Sequence, residues 1–466
     1  MCGENNALAR GDISSRAHGS GLNTPPTPRF FGVSSEILNN ASNSKCRHSN
    51  YGINNYEKQN MLEIKPKTIK VHSLTGRITL KLLEESWKAV KRNNGAAGVD
   101  RVTVKTYHEN KEKNLNELLI RLKTRGAYKC PPLRREHIPK GNTGKTRPLG
   151  IPTADTRCAQ EVIRRLIAPI FEKQFHDNSF GFRPGRNCHQ AVECVLKYIQ
   201  EGYTVIVDVD IKGFFDNIPF EHILTMLRAE IADGNILDII ETFLGSGVVE
   251  NGTFTPTLKG VPQGGVISPL LGNVILNYLD WKLEHAGYKF ARYADDIVVL
   301  CKTMDQAKNA LALTRTILAD LGLECSPEKT KIATFNEGFQ FLGFDINART
   351  ITIREKSREK FEEKLKEITT RSHNLDANVI MKINQVLRGT VNYFCTRFSN
   401  VKTYFKDIDK WLRQRLRSMK YKSKSAKHNL RFKNKHLARR GLKCSLDVCQ
   451  HRINSWYSQQ KATRSG

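Results

Sequence analysis

The chain has 466 residues, a hydrophobic content of 39% and a formal net charge of +29. That length allows roughly two to four units with a sizeable buried core, and that charge indicates a polyanionic partner, of which nucleic acid is the commonest inside cells. There is no run of about 18 apolar residues and no signal-peptide hydrophobic region, so we expect no membrane span, no membrane partner and no secretory leader.

Eleven cysteines are scattered along the chain, and none forms a Cys-x-x-Cys pair. Several lie among aliphatic residues, where a thiol behaves as a small apolar side chain. We therefore predict reduced core thiols of an intracellular protein, in preference to a zinc site or a disulfide framework.

The N-terminal segment 1–70 is rich in Asn, Ser, Gly and Pro and holds only scattered apolar residues. Such a composition cannot bury enough apolar surface to order itself, so we predict a disordered extension. From about Ile78 apolar residues recur at helical spacing, and two amphipathic helices are predicted. The first ends at the Gly95–Gly98 loop, and the second covers about 104–125.

A basic segment at 134–147 is predicted to form a β-hairpin that turns at Gly141–Gly144. Five cations on so short a hairpin are usually a solvated face. Helices are predicted after it, over about 162–175 and 188–199. Between them, the arginines Arg183 and Arg186 of a Gly-Phe-Arg-Pro-Gly-Arg sequence are candidates for contacts with nucleic-acid phosphate.

The segment 204–211 alternates in a way that predicts a strand with one aliphatic face and two carboxylates, Asp208 and Asp210, on the other face. A second acidic pair, Asp295 and Asp296, lies between two apolar, strand-like runs and is predicted at a hairpin tip or strand bend. An Asp-Asp turn is more often a solvated surface turn. The apolar flanks favour a site at the edge of a core, where a cation must neutralise the carboxylates. Such oxygen ligands suit Mg²⁺.

Between the two acidic segments, Gly260–Gly272 joins a glycine-rich turn to a helix that is predicted from about 269 to 285. Its glycines allow close approach to a nucleotide, and the Gln263 amide can both donate and accept hydrogen bonds. A Gln-Gly-Gly loop alone is a weak signal. Its place between the acids makes Gln263 and Gly264 candidates for nucleotide contact.

The C-terminal part is predicted to be helical and strongly basic. Residues 410–440 contain thirteen Lys or Arg and no Asp or Glu, with Trp411, Tyr421 and Phe432 interleaved. A basic run is commonly a solvated tail, but interleaved aromatics are typical of binding to structured RNA. The candidates for nucleic-acid contact are Arg413, Arg417 and Lys420.

Eight motifs in this order resemble the reverse transcriptases, specifically those encoded by bacterial and organellar group II introns. The likeness runs from about Leu80 to about Tyr421. The motifs are Gly95–Asp100, Ile138–Pro152, Ser179–Arg186, Asp210–Phe215, Gly260–Leu271, Tyr293–Asp296, Ser326–Lys331 and Phe341–Phe344.

The resemblance implies an α+β fold of the right-hand polymerase type with an α-helical thumb, called domain X in the maturases. The boundaries that we expect are fingers at 71–203, palm at 204–350, thumb at 351–421 and a basic nucleic-acid-binding tail at 422–466. Many relatives end in an HNH nuclease with paired Cys-x-x-Cys ligands. The residues Cys444, Cys449 and His451 are too few for that module, so we expect no endonuclease.

The resemblance also implies roles for single residues. Two Mg²⁺ ions would be held by Asp210, the Ile211 carbonyl, Asp295 and Asp296, with Asp208 as the competing choice for Asp210. Lys140 and Arg147 would reach the triphosphate of a dNTP. The Phe215 ring would exclude a 2′-hydroxyl, whereas Phe214 is core. Lys329 would lie near the leaving pyrophosphate, with solvated charge as the ordinary interpretation.

The implied function is RNA-directed DNA synthesis on an RNA template with a DNA primer. The protein would also bind its parent group II intron RNA to assist splicing and insertion into target DNA. The expected location is a bacterial cytoplasm or nucleoid, or an organelle matrix. The alternatives are a freestanding reverse transcriptase of defence or CRISPR type, and a splicing-only maturase with an idle polymerase site. The oligomeric state is left open.

Overall fold

The computed structural model describes residues 70–139 and 146–464, with side chains described as far as residue 455. The predictions for the N-terminal extension, the 140–145 turn and Lys140 lie outside the described residues. Within those ranges the architecture is a mixture of helices and three small sheets. No helix in them is both long and apolar enough to cross a bilayer.

The described chain begins with a helical layer. After a 3₁₀ turn at Thr75–Arg77 come α1 (Leu80–Asn93), α2 (Val104–Glu109) and α3 (Lys111–Lys123). The Thr79 hydroxyl accepts a hydrogen bond from the Leu82 amide and so caps α1. The left-handed residue that ends α1 is Asn94 (φ +44°), not one of the predicted glycines, and the predicted second helix is divided at Asn110.

The basic hairpin prediction is confirmed for the two strands that are described. Strands β1 (Leu133–Pro139) and β2 (Thr146–Ile151) are antiparallel, with Ile138 opposite Arg147. β1 also pairs in parallel with β4 (Val248–Glu250), which forms a hairpin with β5 (Thr253–Thr255). The hairpin is therefore held in a four-stranded sheet of order β2-β1-β4-β5.

The second sheet is the centre of the molecule. Its order is β6-β7-β3-β8, with antiparallel pairing throughout, and we call it the central sheet. Alternation buries both faces of β3: Val205, Val207 and Val209 point into one core cluster, whereas Ile206 points into another. The strands are β3 (Val205–Asp210), β6 (Lys289–Tyr293), β7 (Asp296–Cys301) and β8 (Lys331–Thr334).

Helices pack on both sides of the central sheet. Thr153 caps α4 eight residues earlier than the predicted start of that helix, and α5 begins at the predicted residue. The helices between β2 and β8 are α4 (Ala154–Glu172), α5 (Cys188–Gln200), α6 (Phe214–Asn217), α7 (Phe220–Glu230), α8 (Gly234–Leu244), α9 (Ser268–His285) and α10 (Met304–Asp320).

A third sheet and a helical layer complete the described chain. The sheet consists of β9 (Phe339–Phe341), β10 (Phe344–Ile346) and β11 (Ile351–Ile353), in the order β11-β10-β9. The helices are α11 (Glu355–Ile368), α12 (Ala377–Phe394), α13 (Lys402–Tyr421), α14 (His428–Arg431), α15 (Asn434–Arg439) and α16 (Ser445–Arg464).

The C-terminal tail predicted from residue 422 is not separate from the preceding helices. Phe432, Leu437 and Cys449 are buried in the same cluster as the apolar faces of α12 and α13. The buried Asp409 carboxylate of α13 accepts hydrogen bonds from the Ser445 and Leu446 amides, which caps the start of α16. These residues therefore belong to the helical layer and are not a separate tail, and their binding to nucleic acid stays a prediction.

A disulfide joins Cys395, just after α12, to Cys449 in α16. The prediction of reduced thiols throughout is wrong for these two residues. Sequence spacing gave no sign of the pair, because the two cysteines are 54 residues apart and meet only when α16 folds back. The other cysteines of the described residues are free thiols, as predicted.

Candidate active site

The two acidic segments meet at one end of the central sheet. In the β3–β7 pairing Asp210 lies opposite Asp296, and in the β6–β7 pairing Tyr293 lies opposite Asp296. The turn between β6 and β7 consists of Ala294 and Asp295, with Ala294 at φ +57°. The hairpin-tip prediction for the acids is thus confirmed. Side chains of residues directly opposite in an antiparallel pair are close neighbours, so the Asp210 and Asp296 carboxylates adjoin each other at this end of the sheet, and Asp295 lies next to them in the turn.

The register also separates Asp210 from its competitor Asp208. Asp208 lies opposite Val298 on one side and Lys331 on the other, two residues along β3 from the acidic bend. Burial raises the pKa of Asp208 to about 6, an effect that the Lys331 ammonium opposes and the Asp210 carboxylate reinforces. Asp210 is therefore the β3 acid that adjoins the bend.

Lys329 lies against the acids, in the turn that precedes β8. Its Nζ is 2.8 Å from Asp210 Oδ2, so an ammonium group already compensates one carboxylate of the edge. Across the described ranges, no three His, Cys, Asp and Glu side chains are gathered as a metal cage. Carboxylate oxygens on facing strands repel one another unless a cation neutralises them, and hard divalent cations prefer oxygen donors. The residues present therefore fit a divalent cation, provided that Lys329 moves away from Asp210.

The glycine-rich loop is held between the acidic strand and the basic hairpin. The Gln263 carbonyl accepts a hydrogen bond from the Gly150 amide of β2 at 2.9 Å. On the other side, Gln263 Nε2 donates to Asp216 Oδ2 at 3.1 Å, just after α6 begins. Gly264 has φ +107°, and a Cβ there would lie 2.9 Å from the Gly150 carbonyl oxygen. Glycine is needed at this position because the two backbones touch.

Phe215 and Phe214 differ as the sequence predicted. Phe214 is buried in the core, and Phe215 is half-buried beside it, with ring centroids 4.9 Å apart. The Phe215 carbonyl accepts a hydrogen bond from the Val261 amide at 2.6 Å, which joins the backbone of Phe215 to the glycine-rich loop. Part of the Phe215 ring therefore stays exposed next to this loop, whereas the rest packs against the core.

Arg147 faces the same region from β2. Burial raises the pKa of the Asp216 carboxyl, and the positive charges of Arg135 and Arg147 act against that rise. Both arginines are therefore close enough to influence Asp216, the partner of Gln263. The structure thus brings Arg147, Phe215, Gln263 and Gly264 together, and these residues had been predicted separately.

Arg183 is not available for nucleic acid. Its side chain is buried, Nε donates to Glu172 Oε1 at 2.9 Å, and Nη1 donates to the carbonyl oxygens of His176 and Ser179. The prediction that Arg183 contacts phosphate is therefore wrong, because its guanidinium is buried and donates to acceptors inside the protein. Arg186, by contrast, is partly exposed and forms an ion pair with Asp177 at 2.6 Å.

The residue that the sequence reasoning missed is Phe182. Its side chain is 48% exposed, its φ is +57°, and its ring centroid lies 6.3 Å from that of Tyr293. A bulky residue with positive φ is a backbone outlier, and such strain clusters at functional sites. The preceding Gly181 packs so closely that a Cβ there would overlap the Ala294 amide nitrogen. Phe182 is therefore fixed at the rim of the acidic bend.

Comparison with known proteins identifies the family. Residues 138–346 match the family described as "Reverse transcriptase (RNA-dependent DNA polymerase)", and residues 358–441 match "Group II intron, maturase-specific domain". Protein YkfC of Escherichia coli K12 is 33% identical over 258 residues, which are 47% of this chain and 67% of that protein. The chain belongs to the group II intron reverse transcriptase and maturase family.

Two further relatives carry intron names. The "Group II intron-encoded protein LtrA" of Lactococcus lactis is 39% identical over 181 residues, which are 39% of this chain and 30% of LtrA. The "Putative COX1/OXI3 intron 1 protein" of Saccharomyces cerevisiae is 28% identical over 342 residues, which are 60% of this chain and 39% of that protein. The matched parts thus span well under half the length of these two intron proteins.

Membership in the reverse transcriptase family implies the right-hand polymerase fold and the general use of divalent metal ions. The mixed α/β architecture agrees with that fold. The maturase-specific match ends at residue 441, twenty residues beyond the predicted end of the thumb, and it includes α14 and α15. This agrees with the packing of those helices on α13.

The cations of the maturase-specific region are divided between the interior and the surface. Arg417 is buried, and it donates to the Phe432 carbonyl and to Asn434 Oδ1, so its predicted contact with nucleic acid is corrected to a structural role. Arg413 is partly buried beside the Cys444 thiol. The exposed Lys420 ammonium lies 3.9 Å from the Phe432 ring centroid, in a cation–π contact.

A cluster of positive charge surrounds Lys420. Burial and the nearby cations Lys435, Arg439, Lys420 and Lys433 lower the pKa of His436, which places these charges together on and around α15. Lys433, Lys435 and Arg439 are exposed. We call these three residues and Lys420 the α15 basic patch.

Proposed function

We propose that this protein is an RNA-directed DNA polymerase that also binds a group II intron RNA. The observation that carries the polymerase assignment is the register of the central sheet, which puts Asp210 opposite Asp296 beside the Ala294–Asp295 turn. Family membership supports the same activity. The proposed divisions are fingers at 71–203, palm at 204–350 and thumb from 351, with the thumb continued through the helices after 421.

The proposed cofactor is a pair of Mg²⁺ ions held by Asp210, Asp295, Asp296 and the carbonyl of Ile211. Bound ions of this kind neutralise charge that develops on the attacking and leaving oxygens of a phosphoryl displacement. The protein contributes carboxylates on two adjacent strands and in a turn, and an ammonium, Lys329, that would have to leave Asp210 for a divalent cation to be held there. Once released, Lys329 is free to approach the pyrophosphate that leaves.

The substrate side of the site is assigned to the residues around the glycine-rich loop. Arg147, with Lys140, binds the triphosphate of a dNTP, because a guanidinium fork and an ammonium together match that polyanion. Gln263 and Gly264 contact the incoming nucleotide, and the hydrogen bond from Gln263 to Asp216 fixes the amide for that contact. Phe215 lies under the sugar.

The nucleic-acid partners are an RNA template paired with a DNA primer, the parent intron RNA and the target DNA. Arg186 and the ring of Phe182 are assigned to the primer–template at the polymerase site. The α15 basic patch, with Arg413 beside it, is assigned to the intron RNA. The maturase-specific match and the intron names of the relatives support assistance to splicing.

Extension of a DNA primer on an RNA template tests the proposed polymerase activity. Purified protein with Mg²⁺ and dNTPs is expected to extend the primer, and chelation of the divalent ion is expected to stop extension. A protein that bound intron RNA tightly yet never extended a primer would instead be a splicing-only maturase.

Replacement of Phe215 by Val is expected to weaken discrimination against ribonucleotides. A smaller side chain leaves room for a 2′-hydroxyl, and a steric difference of this size changes selectivity by about 10-fold to 100-fold. The measurement is kcat/KM for each rNTP and its dNTP. Phe214→Leu, in the buried neighbour, is the matched control and should keep the wild-type ratio. An unchanged ratio in Phe215→Val removes Phe215 from this role.

Replacement of Phe182 by Ala is expected to weaken primer–template binding by about tenfold, because stacking of a base on an aromatic ring contributes about 1–3 kcal/mol. Thermal unfolding should change little, since the ring is half exposed and its backbone strained. Fluorescence anisotropy with a labelled primer–template measures the affinity. Phe254→Ala, which removes an exposed ring on β5, is the control; equal affinities for both variants would contradict the assignment.

A further inference from the structure

A fully buried ion pair lies directly beneath the acidic bend. Arg292, on β6, donates from Nε to Asp280 Oδ1 at 2.7 Å and from Nη2 to Asp280 Oδ2 at 2.5 Å. Neither side chain is accessible to solvent. Asp280 belongs to α9, so this bidentate contact joins that helix to the strand that ends at Tyr293.

The third guanidinium nitrogen of Arg292, Nη1, reaches the bend itself. Arg292 Nη1 donates to the backbone carbonyl of Ala294 at 3.0 Å and to Asn273 Oδ1 at 2.8 Å. Asn273, also on α9, donates in turn to the Gly181 carbonyl at 2.9 Å. The bend and the loop that presents Phe182 are therefore tied to the same helix, the bend through the Arg292 guanidinium and the loop through the Asn273 amide.

The backbone of Arg292 is fixed as firmly as its side chain. Its amide donates to the Asn178 carbonyl at 2.9 Å, and its carbonyl accepts from the Phe180 amide at 2.8 Å. The segment around Ser179 thus covers the open edge of the central sheet, where β6 is the outer strand. Arg292 consequently has directed contacts on every side, and only one of its partners, Ala294, belongs to the turn with Asp295.

A buried ion pair gives a core little net stability. An apolar pair of similar volume commonly gives equal or greater stability, because the charges need not be removed from water. An apolar pair cannot hold a carbonyl oxygen in a chosen place. Ala294 also adopts a left-handed conformation, which a non-glycine residue keeps only when its surroundings determine it.

We propose that Arg292, Asp280 and Asn273 form a positioning network that fixes the Ala294–Asp295 turn, and with it the carboxylates of Asp295 and Asp296. The inference rests on the proposed polymerase function and adds to it three residues that touch neither metal nor substrate. The same network sets the distance between the bend and the start of α9, where Ser268 Oγ donates to the Pro262 carbonyl of the glycine-rich loop at 2.7 Å. Metal site and nucleotide site therefore share one rigid support.

The test replaces the ion pair with apolar side chains, in the double variant Arg292→Met with Asp280→Leu. Removal of both charges leaves no unpaired buried ion, so we expect the fold to be retained. Amide hydrogen exchange at 294–296 should accelerate by roughly tenfold or more, while exchange in β3 and β8 stays slow. The Mg²⁺ concentration for half-maximal primer extension should rise about 10-fold to 100-fold, as for loss of groups that orient metal ligands.

Glu161→Gln is the control, since Glu161 is a buried carboxylate paired with Arg164 and Arg165 on α4. It should lower thermal stability without changing amide exchange at 294–296 or the Mg²⁺ concentration for half-maximal extension. Should the double variant fail to fold, Arg292→Lys keeps the charge but cannot reach Asp280, Asn273 and Ala294 together, and it should give the same two changes. Wild-type exchange and metal requirement in the folded variant would overturn the network. A wild-type protein without extension activity would overturn the proposed function, and the exchange rates alone would then decide whether Arg292 fixes the turn.

Discussion

Asp295→Asn is expected to lower primer extension roughly a thousandfold or more, because it removes a metal-binding charge worth several kcal/mol in the transition state. The substitution keeps the size of the side chain and lies in a turn that Arg292 supports from below. Folding and binding of intron RNA should therefore remain at the wild-type level. The measurements are single-turnover extension on an RNA template and, in parallel, filter binding of the intron RNA.

The control for Asp295→Asn is Asp305→Asn, which removes an exposed carboxylate in the first turn of α10. It makes the same change in net charge and should extend primers as the wild type does. Extension by Asp295→Asn at a rate near that of the control would contradict the polymerase site. Loss of extension together with loss of intron binding would indicate misfolding, and thermal unfolding of the variant distinguishes that case.

The second large effect is expected at the α15 basic patch. The triple variant Lys433→Gln, Lys435→Gln and Arg439→Gln should bind intron RNA about 100-fold more weakly near 0.1 M salt. Each phosphate contact releases counterions, so the slope of log affinity against log salt should also fall by roughly two. Primer extension on a short, unrelated template should be retained, since the patch belongs to the maturase-specific region.

A matched change elsewhere separates a binding surface from general charge. Lys81, Lys88 and Lys91 are exposed on α1, and their replacement by Gln lowers the net charge by the same amount. This control should shift the affinity and the salt slope only slightly. Equal losses for the two triple variants would show that net charge alone attracts the RNA, and the assignment of the intron to α15 would be withdrawn.

The acids could be predicted from the sequence because two local patterns determine their places. Alternation along 205–210 sets which side chains share a face, and the apolar runs around Asp295 and Asp296 predict paired strands with the acids at their tip. The pairing of those two elements with each other is long-range. The resemblance implied only that Asp210 meets Asp295 and Asp296, and the pairing of β3 with β7 is the structural reason that Asp210 lies opposite Asp296.

Side-chain direction in loops could not be predicted in the same way. In Gly181-Phe182-Arg183 the charged residue was expected outside and the aromatic one was overlooked, yet the structure has Arg183 inside and Phe182 at the rim. A loop has no period, and a guanidinium that caps several carbonyls is as well satisfied as one in water. Arg417 lies on the helix α13 and was misassigned for a different reason: its acceptors, Phe432 and Asn434, come from a later segment that folds back on this helix.

The claim that Asp210, Asp295 and Asp296 hold the metal ions is tested most directly by Mn²⁺ diffraction. Crystals of the protein with an RNA template, a chain-terminated DNA primer and a dNTP would be grown in Mn²⁺, and the anomalous signal located. We predict two ions about 3.5–4 Å apart, in contact with carboxylates of Asp210 and of the Asp295–Asp296 pair, and Lys329 displaced from Asp210. Ions bound to the triphosphate alone, with Lys329 still paired to Asp210, would contradict the account.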